Sequence, residues 1–262
     1  MKKSLTVAAC LCAAFNLSAQ NRTGDWPVYG ADEGGSRYSP LNQITRENVD
    51  QLEVAWEYHT GDSSNLKSGV PPTSFLATPV LDNNTLYFCS GLSRAFALNA
   101  DTGEERWVFD SKPKIRSDGT TKCRGVALWH ESPAEHAGGP GGQAPVFCQT
   151  RVFMGTLDAR LVAIDAKTGK ACTDFGEQGV VDLTVGMGVL SDNEMAMTSP
   201  PLVINDLVVT GAMVKDNQRA DMPPGVVRAW DVRTGELRWA FDPVPPGTRS
   251  PQAHGAPAEQ HY

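Results

Sequence analysis

Short apolar runs broken by turn signals make up most of the chain, and no long run with helical periodicity interrupts them. Thr78 to Leu81, Thr85 to Cys89, Arg94 to Asn99 and Arg106 to Asp110 predict four successive strands in an up-and-down meander. Ser199 to Asp242 reads the same way around a longer insertion. The last two strands of each set enclose one pattern, Ala97-Leu98-Asn99-Ala100-Asp101-Thr102-Gly103-Glu104-Glu105-Arg106-Trp107 and Ala229-Trp230-Asp231-Val232-Arg233-Thr234-Gly235-Glu236-Leu237-Arg238-Trp239. A third copy, Ala163-Ile164-Asp165-Ala166-Lys167-Thr168-Gly169-Lys170, has no Trp after it.

The turn glycines Gly103, Gly169 and Gly235 fall at equal intervals of 66 residues, which marks an internal repeat. In each copy an Asp or Asn side chain can cap the turn, and glycine can take positive φ without a Cβ clash. Four-stranded antiparallel units repeated along a chain hide their faces by stacking on one another, as the blades of a β-propeller do. The predicted fold is therefore all-β, an incomplete ring of about three blades. Trp107 and Trp239 occupy equivalent repeat positions and are expected to pack between blades. Thr173 stands where the Ala163 copy would carry its Trp, so that blade must pack differently. Trp26 and Trp56 are expected in the core, and the place of Trp129 stays open.

With 262 residues, 40% of them hydrophobic, the chain can bury a good core, and 25 Gly with 18 Pro suit many turns. A net charge of −7 argues against nucleic acid and anionic membrane surfaces as main partners. Residues 1–19 read as a secretory signal: Lys2 and Lys3, an apolar run from Leu5 to Leu17, then Ser18-Ala19 before Gln20. The apolar run is too short to span a bilayer as a helix, so residues 20–262 are expected to be exported to the periplasm. Cys10 and Cys12 leave with the leader. Cys89, Cys123, Cys148 and Cys172 remain, an even number in an oxidising compartment with three possible pairings, and without a Cys-x-x-Cys pair zinc is not expected.

The mature chain opens with Asp25-Trp26-Pro27-Val28-Tyr29-Gly30, then Gly35-Ser36-Arg37-Tyr38-Ser39-Pro40-Leu41-Asn42-Gln43-Ile44 and the strand Val54 to Tyr58. Cys123-Arg124-Gly125-Val126, Thr156-Leu157-Asp158-Ala159-Arg160-Leu161, Thr198-Ser199-Pro200-Pro201 and Gly211 to Asn217 follow in order. Together these segments resemble the quinoprotein dehydrogenases that use pyrroloquinoline quinone (PQQ), an eight-bladed propeller family, and they look most like its glucose dehydrogenase branch. The resemblance implies PQQ, a divalent cation (calcium, or magnesium), and oxidation of a sugar or alcohol hydroxyl by hydride transfer to the quinone. Family chains run well beyond twice this length. The resemblance thus implies that the catalytic base lies in blades beyond Tyr262 and that this chain alone is inactive.

Carried onto this chain, the resemblance assigns Arg124 to the quinone, since a guanidinium offers planar, always-charged donors to a carboxylate or quinone oxygen. Thr156, at a strand end, is a candidate cofactor contact or a residue that satisfies its own turn. Asp216 and Asn217, on the loop after the strand Leu207 to Thr210, supply the oxygen ligands that a hard cation prefers. Thr120 stands where the glucose branch carries a histidine against the quinone face; it can hydrogen-bond but cannot stack, which leaves the cofactor packing and the substrate open.

Other motifs fail on spacing. His130 and His136 lie six apart rather than four, with Pro133 between them, and Gly138 to Gly142 lacks the Gly-Lys-Ser/Thr ending of a phosphate loop. No Cys-x-x-Cys-His haem site occurs, so electrons would leave to a separate acceptor, membrane quinone or a cytochrome. The competing class is a non-catalytic propeller scaffold that binds envelope proteins. The Cys-Arg-Gly-Val stretch and the Asp216-Asn217 pair favour the enzyme, because a scaffold has no use for them.

Overall fold

A computed structural model describes residues 24–62, 72–115, 121–132, 147–188, 190–191, 194–215 and 222–244. The secretory segment expected at residues 1–19 lies outside them. Sixteen strands are described: β1 Ser74–Phe75, β2 Val80–Asp82, β3 Thr85–Cys89, β4 Arg94–Asn99, β5 Glu105–Asp110, β6 Lys122–Cys123, β7 Ala127–His130 and β8 Thr150–Gly155. Then come β9 Arg160–Asp165, β10 Val180–Asp182, β11 Met195–Ala196, β12 Leu202–Ile204, β13 Leu207–Thr210, β14 Met213–Val214, β15 Val227–Asp231 and β16 Leu237–Phe241. One 3-10 turn, Val49–Gln51, is the helical structure among the described residues, where no helix is long and apolar enough to cross a membrane.

The strands form three antiparallel four-stranded sheets, β2-β3-β4-β5, β7-β8-β9-β10 and β12-β13-β15-β16, in an open rather than closed arrangement. The predicted meanders fall on the first and third. Two short ladders, β1 with β6 in parallel and β11 with β14 antiparallel, lie outside the sheets.

The three repeat turns are built alike, atom for atom. Asn99, Asp165 and Asp231 each accept amide hydrogens through Oδ1, from Thr102, Thr168 and Thr234 at 2.7–3.1 Å. Each turn glycine donates its amide back to the carbonyl of that Asn or Asp, and its φ is near +70°. Sheets one and three also share a bulge, at Ala97/Leu98 and Ala229/Trp230, that places Arg106 and Arg238 at the same irregularity.

Each turn is also a docking surface for the element before it. Trp56 donates its indole N–H to Ala100, and a Cβ on Gly103 would lie 2.5 Å from its ring. Trp107 repeats the contact one sheet later, donating to Ala166 at 2.9 Å and lying so close over Gly169 that a Cβ there would stand 2.7 Å from its ring. Glycine is needed here for close approach as much as for φ. Trp56 and Trp26 are half-buried rather than fully enclosed.

The second sheet lacks that Trp and joins the third by polar contacts around an apolar cluster. Gly176 donates to the Thr234 carbonyl, Arg151 to the Arg233 carbonyl, and Arg233 grips the Glu131 carboxylate through two nitrogens. Trp129 lies within this joint, with the guanidinium of Arg233 4.8 Å and that of Arg151 5.8 Å from its ring centre. Cation–π contact with a desolvated ring offsets part of the cost of burying Arg151.

The core lies between sheets. One cluster joins Tyr87, Ala97 and Trp107 to Leu128, Val152 and Val162, and a second joins Phe153, Leu161 and Phe175 to Val208 and Trp230. The other face of the first sheet, with Phe88, Phe96 and Leu98, is covered by Trp56 and Tyr58. The third sheet leaves Leu202, Ile204, Trp239 and Phe241 exposed.

Candidate functional site

The segments that lead into the first strands of the three sheets meet at one residue. Arg124, just before β7, donates its amide to the Thr198 carbonyl at 2.9 Å, ahead of β12, and its own carbonyl accepts from the Thr78 amide at 3.0 Å, ahead of β2. The first strands β7 and β12 lie against each other. Next in sequence, Gly125 has φ of +157°, and a Cβ there would sit 3.4 Å from the Thr78 carbonyl oxygen and 3.5 Å from Pro200. A Cβ at these distances would make ordinary van der Waals contact, so it is the positive φ rather than lack of room that favours glycine here.

Two further constraints hold the segment. Cys123 is bonded to Cys89 at the end of β3, which decides the pairing left open by the sequence; the other bridge is Cys148–Cys172. Thr121 donates its hydroxyl to Pro72 and accepts the Ser74 amide on its carbonyl, aligning β6 with β1.

A cavity of about 450 Å³ opens beside Arg124, lined by Lys122, Arg124, Met197, Thr198, Ser199, Gly211, Ala212 and Met213. Arg124 donates one N–H to the Thr198 hydroxyl at 2.7 Å, and among the described residues its other guanidinium nitrogens have no acceptor. Among the described residues the lining holds two cations and no carboxylate. In a chain of net charge −7, such a surface suits an anionic, oxygen-rich ligand.

Of the expected site residues, Arg124 takes its place in this cavity. Thr156 is fully buried, and its hydroxyl is spent on the β8–β9 turn, donating to Asp158 Oδ1 at 2.6 Å and accepting the Arg160 amide. Its carbonyl accepts the Met197 amide, so it supports the cavity wall without lining it. Thr120, Asp216 and Asn217 lie outside the described residues. The strand that leads to the latter two, β14, is described: it pairs with β11, and Met213 lines the cavity. Lys122 and Thr198 are cavity residues that the sequence reading did not select.

A second, larger hollow of about 730 Å³ includes Lys112, Lys114, Asp158, Arg160, Glu177 and Asp182 in its lining. Its charges are mixed, and Asp158 is committed to structure. Burial pushes the Asp158 carboxyl up, but hydrogen bonds from Thr156, Arg160 and the Lys114 amide outweigh it and hold it below the usual carboxylate range.

The donor set beside Arg124 fits a planar polycarboxylate such as PQQ. It does not by itself fit a hard divalent cation, which needs carboxylate oxygens that the described lining lacks. Among the described residues the one cluster with metal-ligand atoms is Cys148, Cys172 and Asp174, whose sulfurs are consumed in a disulfide.

Residues 26–261 match the family described as "PQQ: Glucose/ethanol/alcohol dehydrogenase, beta-propeller domain". The quinoprotein glucose dehydrogenase of Gluconobacter oxydans is 37% identical over 90% of this chain and 29% of its own length. The quinate/shikimate dehydrogenase of Acinetobacter baylyi is 39% identical over 85% of this chain and 28% of its own length. Among solved structures, the quinohemoprotein alcohol dehydrogenase of Comamonas testosteroni superposes with a TM-score of 0.62 at 29% identity, covering 84% of this chain and 27% of that one. The chain thus spans less than a third of the length of these relatives. On the match over residues 26–261, and on sheets that repeat around converging first strands, this chain belongs to the PQQ-dependent glucose/ethanol/alcohol dehydrogenase β-propeller family.

Proposed function

We propose that this chain forms one wall of the quinone site of a periplasmic PQQ-dependent dehydrogenase that oxidises a hydroxyl of a sugar or polyol, with glucose-like substrates favoured over quinate-like ones. The observation that carries this reading is the convergence of the segments leading into three first strands on Arg124, beside a cavity whose described lining carries two cations. When bound, PQQ would supply a carbonyl acceptor for the hydride, with its electron pair, leaving the substrate carbon. Arg124 would orient it: a fork of fixed N–H donors matches a carboxylate or a pair of ring oxygens, and its permanent charge favours negative charge developing there. The Thr198 hydroxyl and the two backbone hydrogen bonds keep that fork from swinging away.

Asp216 and Asn217 are proposed to hold calcium or magnesium, and electrons would pass on to membrane quinone or a cytochrome. The catalytic base is assigned to blades beyond this chain, so the isolated polypeptide binds the quinone without turning over substrate. The test is a titration of the purified chain with PQQ in millimolar calcium, followed by quenching of tryptophan fluorescence. Saturable binding weakened at least tenfold in Arg124→Ala supports the reading; equal affinity in the two proteins overturns it. Reduction of a dye by the isolated chain with glucose and PQQ would overturn the claim that it is catalytically incomplete.

A further inference from the structure

We propose that Lys122 is a second cationic contact for the ligand of this cavity, taking one carboxylate of a planar polycarboxylate while Arg124 takes another. The inference rests on the quinone-site reading above and adds to it a residue and a requirement, that the ligand carry at least two separated anionic groups.

Strand alternation places the two cations together. In β6 and the residue after it, successive side chains point to opposite sides. Cys123 points into the core, where it is bonded to the fully buried Cys89, so Lys122 and Arg124 project to the other side, and both line the cavity. The backbone beneath Lys122 is fixed by its register with Ser74 and by the Thr121 contacts to Pro72 and Ser74. The backbone position from which the lysine stem departs is therefore fixed.

Charge supplies the second argument. Lys122 is half-buried and, among the described residues, has no ion-pair partner; neither has Arg124. Holding two like charges two residues apart in a partly desolvated hollow is unfavourable unless an anion joins them. The rest of the lining makes room for a flat ligand: Gly211 has no side chain, a Cβ there would meet nothing within 4 Å, and the neighbouring Ala212 and Met213 are apolar. The two cations have different tasks. Arg124 offers a planar fork that sets orientation, whereas Lys122 is a point charge on a flexible stem that can follow a second carboxylate.

The experiment compares the whole chain with Lys122→Met, Lys122→Arg and Arg124→Met, by calorimetric titration with PQQ and with the redox-inert benzene-1,3,5-tricarboxylate, at low and high salt. Lys122→Met should weaken both ligands about tenfold or more and flatten the salt dependence, with an unchanged melting temperature, and Lys122→Arg should recover most of the affinity. If Arg124→Met weakens binding while Lys122→Met does not, the inference falls and the quinone-site reading stands. If neither substitution changes affinity, or the unmodified chain binds neither ligand, both fall.

Discussion

His130 ties the first strand of the second sheet to the first strand of the first, with Nε2 3.5 Å from Asp82 Oδ1 and Nδ1 3.1 Å from the Thr150 hydroxyl. The hydrogen bond to Asp82 raises the imidazole pKa against the lowering effect of burial, and the same contact, helped by Asn83, lowers that of Asp82. A histidine whose pKa is raised on folding stabilises the fold fully below its unfolded pKa of about 6.5, and that contribution is lost as pH rises through the folded value. Urea unfolding between pH 5 and pH 9 should therefore show stability falling above about pH 6.5. His130→Gln should remove that slope; a slope that survives the substitution would place its origin elsewhere. Gly169 carries a different kind of constraint, since φ is +70° and a Cβ would meet the Trp107 ring at 2.7 Å. Gly169→Ala combines backbone strain with overpacking, and unfolding should show a loss of about 2 kcal/mol.

Between sheets, the repeated unit is a tryptophan seated on the next Thr-Gly turn, and the chain contains the same residue in two states. Trp107 is 8% exposed and docked on the Gly169 turn, whereas its counterpart Trp239 is 37% exposed on the open face of the third sheet. Trp107→Ala should cost about 3–5 kcal/mol, as large aromatic truncations in a core do, and Trp239→Ala less than about 1 kcal/mol in this chain. Equal losses in denaturant melts would show that docking on the next turn is not what stabilises Trp107. This architecture was legible because its signals are local: turn caps, turn glycines and apolar strands recur at one interval, and the interval survives even where the Ala163 copy lacks its Trp. The joint between sheets two and three was not legible, since it depends on Arg233 reaching Glu131 across 102 positions of sequence. The cysteine pairing was hidden for the same reason, because only the stacking of sheets brings β3 beside β6. At the site, Arg124 could be named from its Cys-Arg-Gly-Val context, but Lys122 sits in a two-residue strand too short to declare an alternation, and the Thr156 hydroxyl reads identically whether it faces a ligand or its own turn.

At the scale of the whole molecule, two disulfides act on a single open stack from different places, and that difference separates stability from function. Cys89–Cys123 spans 34 positions and fixes the strand that leads into Arg124; Cys148–Cys172 spans 24 and closes the loop between β9 and β10 against the start of β8. Loop-closure entropy depends only weakly on length, so each bridge should stabilise the fold by a similar amount, about 3.5 kcal/mol. Replacing either pair by alanine is thus expected to lower the unfolding free energy almost equally. Their effects on the cavity should differ. Loss of Cys89–Cys123 frees the Arg124 segment on one side, leaving it held by the hydrogen bonds to Thr78 and Thr198, whereas loss of Cys148–Cys172 leaves that segment stapled. In hydrogen exchange, the Arg124 and Thr78 amides should therefore exchange faster in the first double variant alone, and binding of a tricarboxylate should weaken in that variant alone. Parallel changes in both variants would mean that the site responds to global stability and that the bridge beside it has no positioning role.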